Sequence, residues 1–182
     1  MLGLVACKPS PAVGKLVATD ITGADFGQTL SLTDHTGKPR TLTDFKGKAV
    51  VLFFGYTHCP DVCPTTMSDL KQTMKLLGPN ANAVQVLFVT LDPERDTQAV
   101  LAQFVPSFDT RFIGLRGSVE ATAITAKAFK IFASKVQSEG KSGYTIDHSA
   151  GMYVFDKNGK IRLYIDYAEK PADIANDIKT IL

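Results

Sequence analysis

The sequence predicts an α/β domain, a central mixed β-sheet flanked by helices with a β-hairpin at its N-terminal side. Two stretches, Val50–Phe54 and Val84–Leu91, are almost continuously apolar, the pattern of strands covered on both faces of a parallel sheet. Between them Met67, Leu70, Met74 and Leu77 recur at helical spacing until Gly78-Pro79-Asn80 ends the run, which makes a βαβ unit. Two further strands, Met152–Phe155 and Ile161–Tyr167, flank Lys157-Asn158-Gly159, and Asn-Gly is a strong short hairpin signal.

The remaining elements follow in chain order. Leu30-Ser31-Leu32 and Arg40-Thr41-Leu42 enclose Asp34-His35-Thr36-Gly37, a small hairpin with His35 at its tip and on the surface. A helix starts near Thr97, with Asp96 or Thr97 as N-cap and Val100, Leu101, Phe104 and Val105 on one face. Another is expected over Ser118–Phe129. Ser134–Tyr144 is polar, contains Gly140, Ser142 and Gly143, and lacks apolar periodicity, so it reads as a mobile loop. Pro171 opens a C-terminal helix whose Ile174, Ile178 and Ile181 share a face. Hairpin, βαβ unit, helices, hairpin and helix, in that order, give a thioredoxin-like fold.

With 182 residues, 45% hydrophobic and 21% charged, the chain buries a full core and forms one domain, which excludes a disordered chain and a disulfide miniprotein. Lys plus Arg number 20 against 18 Asp plus Glu, with no basic stripe, so nucleic acid is not an expected partner. The longest unbroken apolar run, Ala49–Gly55, is far short of the ~20 residues that span a bilayer. HExxH, GxSxG and P-loop motifs are absent from the sequence. The globular domain, expected to be a monomer, is placed at residues 25–182, with residues 1–24 as terminal segment and linker. In that segment Leu4-Val5-Ala6-Cys7 resembles the lipobox of bacterial lipoproteins, which implies lipidation of Cys7 and a tether outside the cytoplasmic membrane. Six residues before Cys7 are fewer than a secretory signal needs, so a natural start other than Met1 is expected.

Chemistry concentrates just after the first buried strand, in Gly55-Tyr56-Thr57-His58-Cys59-Pro60-Asp61-Val62-Cys63-Pro64. Cysteines at i and i+4 on a first helical turn point both sulfurs at one spot, about 6 Å apart at Cα, which suits a bridge as well as a shared metal. Pro64 suits the first helical position, and the positive end of the helix dipole favours thiolate at Cys63. Counted back from Met67 and Leu70, Cys63 lies on the apolar stripe and should be less exposed than Cys59. Asp61 opposes free thiolates and suits a bound cation. The plainer alternative is a structural disulfide, though so short a loop contributes only ~2 kcal/mol by chain entropy, and ligands bind at the carboxyl ends of strands in open α/β sheets.

A third donor has to come from elsewhere. Tyr144-Thr145-Ile146-Asp147-His148-Ser149 precedes the Met152 strand, where a thioredoxin-like fold carries the loop facing its cysteines. Two thiolates and an imidazole form a soft, low-coordinate set that suits Cu(I) and, with added ligands, Cu(II). A structural zinc site wants a fourth residue, and none is evident. The candidate metal residues are therefore Cys59, Cys63 and His148. Taken alone, a histidine before a strand is more often a hydrogen-bonded loop residue. His58 is nearer, but neighbours on an extended segment point oppositely, and Met67 and Met152 have core spacing.

The GYTHCPDVCPTT segment, Asp92-Pro93-Glu94-Arg95-Asp96-Thr97 and Asp147-His148-Ser149 together resemble the Sco/SenC family of copper-binding, thioredoxin-like proteins, over roughly Phe26 to the C-terminus. The resemblance implies copper ligation by Cys59, Cys63 and His148 in a membrane-anchored domain facing the bacterial periplasm. It also implies service to cytochrome c oxidase assembly, by copper supply to the dinuclear CuA centre, by reduction of its cysteines through a redox-active Cys59–Cys63 pair, or by both. The partners implied are the copper-bearing oxidase subunit, other periplasmic copper chaperones and thiol reductants. Asp92–Thr97 reads as a turn and helix cap with a carboxylate pairing Arg95, as support for the site beside it, or as a partner-docking segment. Thioredoxin-type oxidoreductases use CxxC with an opposing cis-Pro, whereas this chain has CxxxC and no proline between Pro106 and Pro171; peroxiredoxins carry Thr where Tyr56 stands. A redox signalling module is a further alternative.

Overall fold

The structure is a computed structural model and describes residues 16–137 and 143–182. In chain order it contains β1 (Thr19–Asp20), β2 (Ser31–Asp34), β3 (Pro39–Thr41), β4 (Ala49–Gly55), α1 (Val62–Leu77), β5 (Val84–Thr90) and α2 (Gln98–Phe108). Then come β6 (Ile113–Arg116), α3 (Val119–Ala128), β7 (Ala133–Gln137), β8 (Tyr144–His148), β9 (Met152–Phe155), β10 (Ile161–Ile165) and α4 (Pro171–Lys179). Eight strands form one mixed sheet in the order β1-β10-β9-β4-β5-β6-β2-β3. The β4/β5 and β5/β6 pairs are parallel, and the other neighbours are antiparallel. β7 and β8 make a separate antiparallel ribbon.

The apolar runs β4 and β5 are buried at every residue because both sheet faces are covered. Alternation along β4 sends Phe53 and Phe54 to opposite faces. Phe53 meets Phe88, which meets Phe104 of α2, at centroid distances of 6.0 and 5.6 Å. Phe54 meets Phe129 at the end of α3 at 5.3 Å, and Phe129 continues to Tyr153 and Phe155. Gly55 lies on the Phe53 face, where α1 packs, and α4 packs on α1. Met67 and Met152 are core residues, as their spacing predicts. Thr97 and Ser118 cap α2 and α3 through side-chain bonds to Val100 N–H and Ala121 N–H.

Several expectations are corrected. The linker expected through residue 24 ends earlier, because β1 pairs with β10 and the buried Asp177 carboxylate of α4 accepts the Val17 and Ala18 N–H groups at 3.0 and 2.6 Å. The described parts of the expected Ser134–Tyr144 loop are strand: Ser134–Gln137 pair in register with Tyr144–Asp147. Backbone pairing forms this ribbon, which hydropathy does not mark because all of β7 is exposed. β6, interrupted by Gly114, escaped the sequence reading; a Cβ there would sit 2.9 Å from Val105, so glycine lets α2 close on the strand. His35 is not a free surface residue, since its backbone N–H donates to Gly114 C=O and its Nδ1 accepts from Gly114 N–H. Cys7 and residues 138–142 lie outside the described residues.

Candidate metal centre

β4 ends at Gly55, and the turn that follows delivers both cysteines to the N-terminus of α1. Asp61 is the N-cap, so Cys63 is the second helical residue and Pro64 the third rather than the first. Cys63 is fully buried and Cys59 half-buried, in the order the apolar stripe predicts. Gly55 makes room for this, because a Cβ there would lie 2.8 Å from Cys63 Sγ and 3.1 Å from the Phe88 ring. The Cys63 N–H donates to Cys59 Sγ at 3.4 Å, so an α1 orphan donor is spent on the outer sulfur. The helix end does not make Cys63 acidic. Burial pushes its thiol well above the ordinary range and the neighbouring Cys59 adds to the rise, against a lowering backbone hydrogen bond at Tyr56.

His148 is the last residue of β8, not a loop residue, and its Nε2 lies 3.6 Å from Cys63 Sγ. Its Nδ1 is 2.8 Å from the Ser149 carbonyl oxygen, which can only accept. In the neutral ring this bond places the proton on Nδ1 and turns the Nε2 lone pair toward the sulfur. The buried Tyr56 ring meets the imidazole edge-on at 6.0 Å. Tyr56, Cys59, Pro60, Val62, Val136 and His148 border a cleft of about 490 Å³. Among the described residues no three His, Cys, Asp or Glu side chains are gathered closely enough to hold a metal ion as they stand: Cys59 and His148 line the cleft, while Cys63 is fully buried off its lining, in contact with His148 Nε2. His58 is turned away to Thr57 Oγ1 and Asp96.

The Asp92–Thr97 segment is both a turn with a helix cap and a support for the site. Thr97 caps α2, and Arg95 pairs with Asp92. Asp96, fully buried, accepts from Thr57 N–H, Thr57 Oγ1 and Thr90 Oγ1 at 3.0, 2.6 and 2.6 Å, which fixes the turn before Cys59. Asp92, also fully buried, accepts from Tyr144 Oη at 2.8 Å, while Arg95 Nη1 donates to the Tyr144 carbonyl and its guanidinium stacks 3.7 Å over the Tyr144 ring. One turn thus holds the cysteine loop with one carboxylate and the histidine ribbon with the other. Tyr144 and the Ser149 carbonyl were missed by sequence reasoning. Their neighbourhood of His148 was the only signal, since Tyr144 acts through Asp92, far along the chain, and the Ser149 carbonyl is a backbone atom that no residue type marks.

The profile of the SCO1/SenC family matches residues 18–182. The chain belongs to the SCO1/SenC family. It is 37% identical over 151 residues to the mitochondrial SCO2 homolog of Bos taurus, covering 82% of this chain and 57% of that protein. It spans about half the length of the first curated relatives it matches. The Bradyrhizobium japonicum ScoI structure with copper bound superposes with a TM-score of 0.79 at 36% identity, over 86% of this chain and 99% of that one. A SCO1/SenC family lipoprotein of Bacillus anthracis superposes at 0.76 with 26% identity, over 92% and 99%. The thioredoxin-like fold is thereby shown. No helix of the described part of this SCO1/SenC chain is long and apolar enough to cross a membrane.

Proposed function

We propose that the protein is a copper metallochaperone for the CuA centre of cytochrome c oxidase, holding one copper ion between the Cys59 and Cys63 thiolates and His148 Nε2. Copper is cargo here, received at the cleft and handed to the copper-bearing oxidase subunit. The observation that carries the reading is the imidazole itself: from 85 residues away its Nε2 lies against Cys63 Sγ while Nδ1 is held by a backbone carbonyl. Two soft sulfurs and one nitrogen match Cu(I) and, with added ligands, Cu(II), and relatives with the same fold solved with copper bound support copper as the metal. Ligation displaces the thiol protons, the buried one of Cys63 last. Lipidation of Cys7 would hold the domain at the periplasmic face of the membrane, a placement that a family lipoprotein supports.

A second reading has its own support. Cys59 is accessible and Cys63 buried and protonated, the asymmetry a dithiol reductant uses. The Cys59 thiolate would attack a partner disulfide, Cys63 would displace the mixed disulfide, and two electrons would pass to the partner's cysteines as the Cys59–Cys63 bridge forms. Bridging and copper binding then exclude each other, since each uses the same sulfur electron pairs.

Anaerobic Cu(I) titration of the reduced protein, with thiols counted before and after, tests the proposal. One equivalent should bind tightly to the native chain and none to the Cys59→Ala, Cys63→Ala double variant. His148→Ala should bind more weakly, with an intact dithiol. Undiminished stoichiometric binding in the double variant would sink the site. Unchanged affinity and unchanged Cu(II) nitrogen coupling in His148→Ala would remove the histidine from it.

A further inference from the structure

A groove of about 580 Å³ runs between α3 and the β7–β8 ribbon, next to the cleft that Cys59 and His148 line. Its apolar lining includes Leu91, Ala126, Ile131 and Ile146, all buried, with Ala123 and Phe132 at the walls. Phe132 is 61% exposed and Val119 at the mouth is 59% exposed, so two large apolar side chains meet water beside this floor. The lining also carries three cations, Lys127, Lys130 and Lys135, against one carboxylate, Glu94, which is paired with Lys135.

The groove is coupled to the site by short bonds. Phe132 N–H donates to Ser149 Oγ, and Ser149 N–H donates to the Phe132 carbonyl, both at 3.1 Å. The Ser149 carbonyl is the group that holds His148 Nδ1. Ala133 in the groove pairs in register with His148, and Ile146 lines both cavities. Pressure on Phe132 therefore reaches the imidazole through one residue.

We propose that this groove seats an acidic, apolar-anchored segment of the protein that exchanges copper with the neighbouring cleft, and that its seating on Phe132 repositions His148. The exchange rests on the copper reading; the seating does not. A concave apolar floor takes an inserted side chain such as leucine, and a net positive rim takes flanking carboxylates. A membrane surface would instead meet a flat or convex apolar face.

The test starts with the copper-free, reduced, isotope-labelled protein. It is titrated with a twelve-residue peptide of alternating Leu and Glu, then with its Leu and Lys counterpart, and separately with phosphatidylglycerol vesicles. The acidic peptide should shift the resonances of Ala123, Ile131, Phe132 and Ser149, and the basic one should not. Ala123→Arg, an exposed change that blocks the groove, should weaken this binding by about tenfold or more. Lys127→Glu should weaken it in the same direction, and both variants should still take up one copper. Copper transfer from these variants to the soluble domain of the oxidase copper subunit should slow in parallel. Shifts elsewhere, equal binding of both peptides, groove-dependent vesicle binding without peptide binding, or self-association through the groove would each overturn the proposal. Because the peptide arm uses no copper, it can fail while the copper site stands, or hold while the copper site falls.

Discussion

Cys63 shows burial winning over a helix dipole. The dipole is a partial charge that solvent screens within one turn, whereas loss of hydration acts on the whole thiolate, so burial pushes the Cys63 thiol up despite the helix end. Iodoacetamide at pH 7.5 to 8.5 should therefore label Cys59 first, read by mass of the labelled peptides. The pH dependence follows with a definite sign. An ordinary cysteine titrates near 9.0, so above that pH the unfolded chain sheds a proton that folded Cys63 retains. Stability of the reduced protein is fully present below about pH 9 and falls as pH rises beyond it, and Cys63→Ala should flatten that slope in urea midpoints. Gly55 matters for a different reason. Gly55→Ala would press a methyl against Cys63 Sγ, Phe88 and Phe53, at 2.8, 3.1 and 3.2 Å, all within the core. The expected cost is about 2 kcal/mol by urea unfolding, with copper affinity reduced as the sulfur shifts.

At the scale of elements, the exposed β7–β8 ribbon has little core of its own and is held by its Tyr144 end. Tyr144→Phe keeps the ring over Arg95 and removes only the hydroxyl that donates to buried Asp92. Removing that donor should cost about 1 to 3 kcal/mol of local stability. Amide exchange of Thr145–His148 should accelerate while the β4 and β5 amides stay protected, and copper should bind more weakly with no change in thiol count. Equal exchange in variant and native protein would mean that the ribbon is held by Ile146 and the register alone. The ribbon also shows why its residues read as a loop in the sequence. β7 buries nothing, so neither alternation nor an apolar run marks it, and its order comes from pairing with β8 and from Lys135 joined to Glu94.

For the whole molecule, the N-terminal residues close the sheet edge and tie it to the last helix. A chain started at Asp25, the boundary the composition suggests, would lose β1 and leave the Asp177 carboxylate, 2% exposed, without the Val17 and Ala18 donors. The shortened protein should unfold with a stability lower by roughly 3 kcal/mol than one started at Leu16, as an uncompensated buried charge requires. Asp177→Ala should recover part of the loss in the shortened chain alone. If both starts melt together, the β1 edge contributes nothing to stability.

The sequence by itself determined the strands buried on both faces, the βαβ unit, the capped helices and the cysteine spacing, because each is written in local periodicity or in residues a few positions apart. It also marked His148 as a candidate, through the place of its segment before a core strand. Only the tertiary structure decided that His148 sits at the end of a strand with Nε2 on Cys63, that burial pushes the Cys63 thiol up, and that one turn after β5 braces both the cysteine loop and the ribbon. Those facts depend on burial and on hydrogen bonds between residues such as Asp92 and Tyr144, 52 positions apart. No local pattern in a chain records which distant donor will meet a buried carboxylate, because that pairing exists only once the sheet has brought the two loops together.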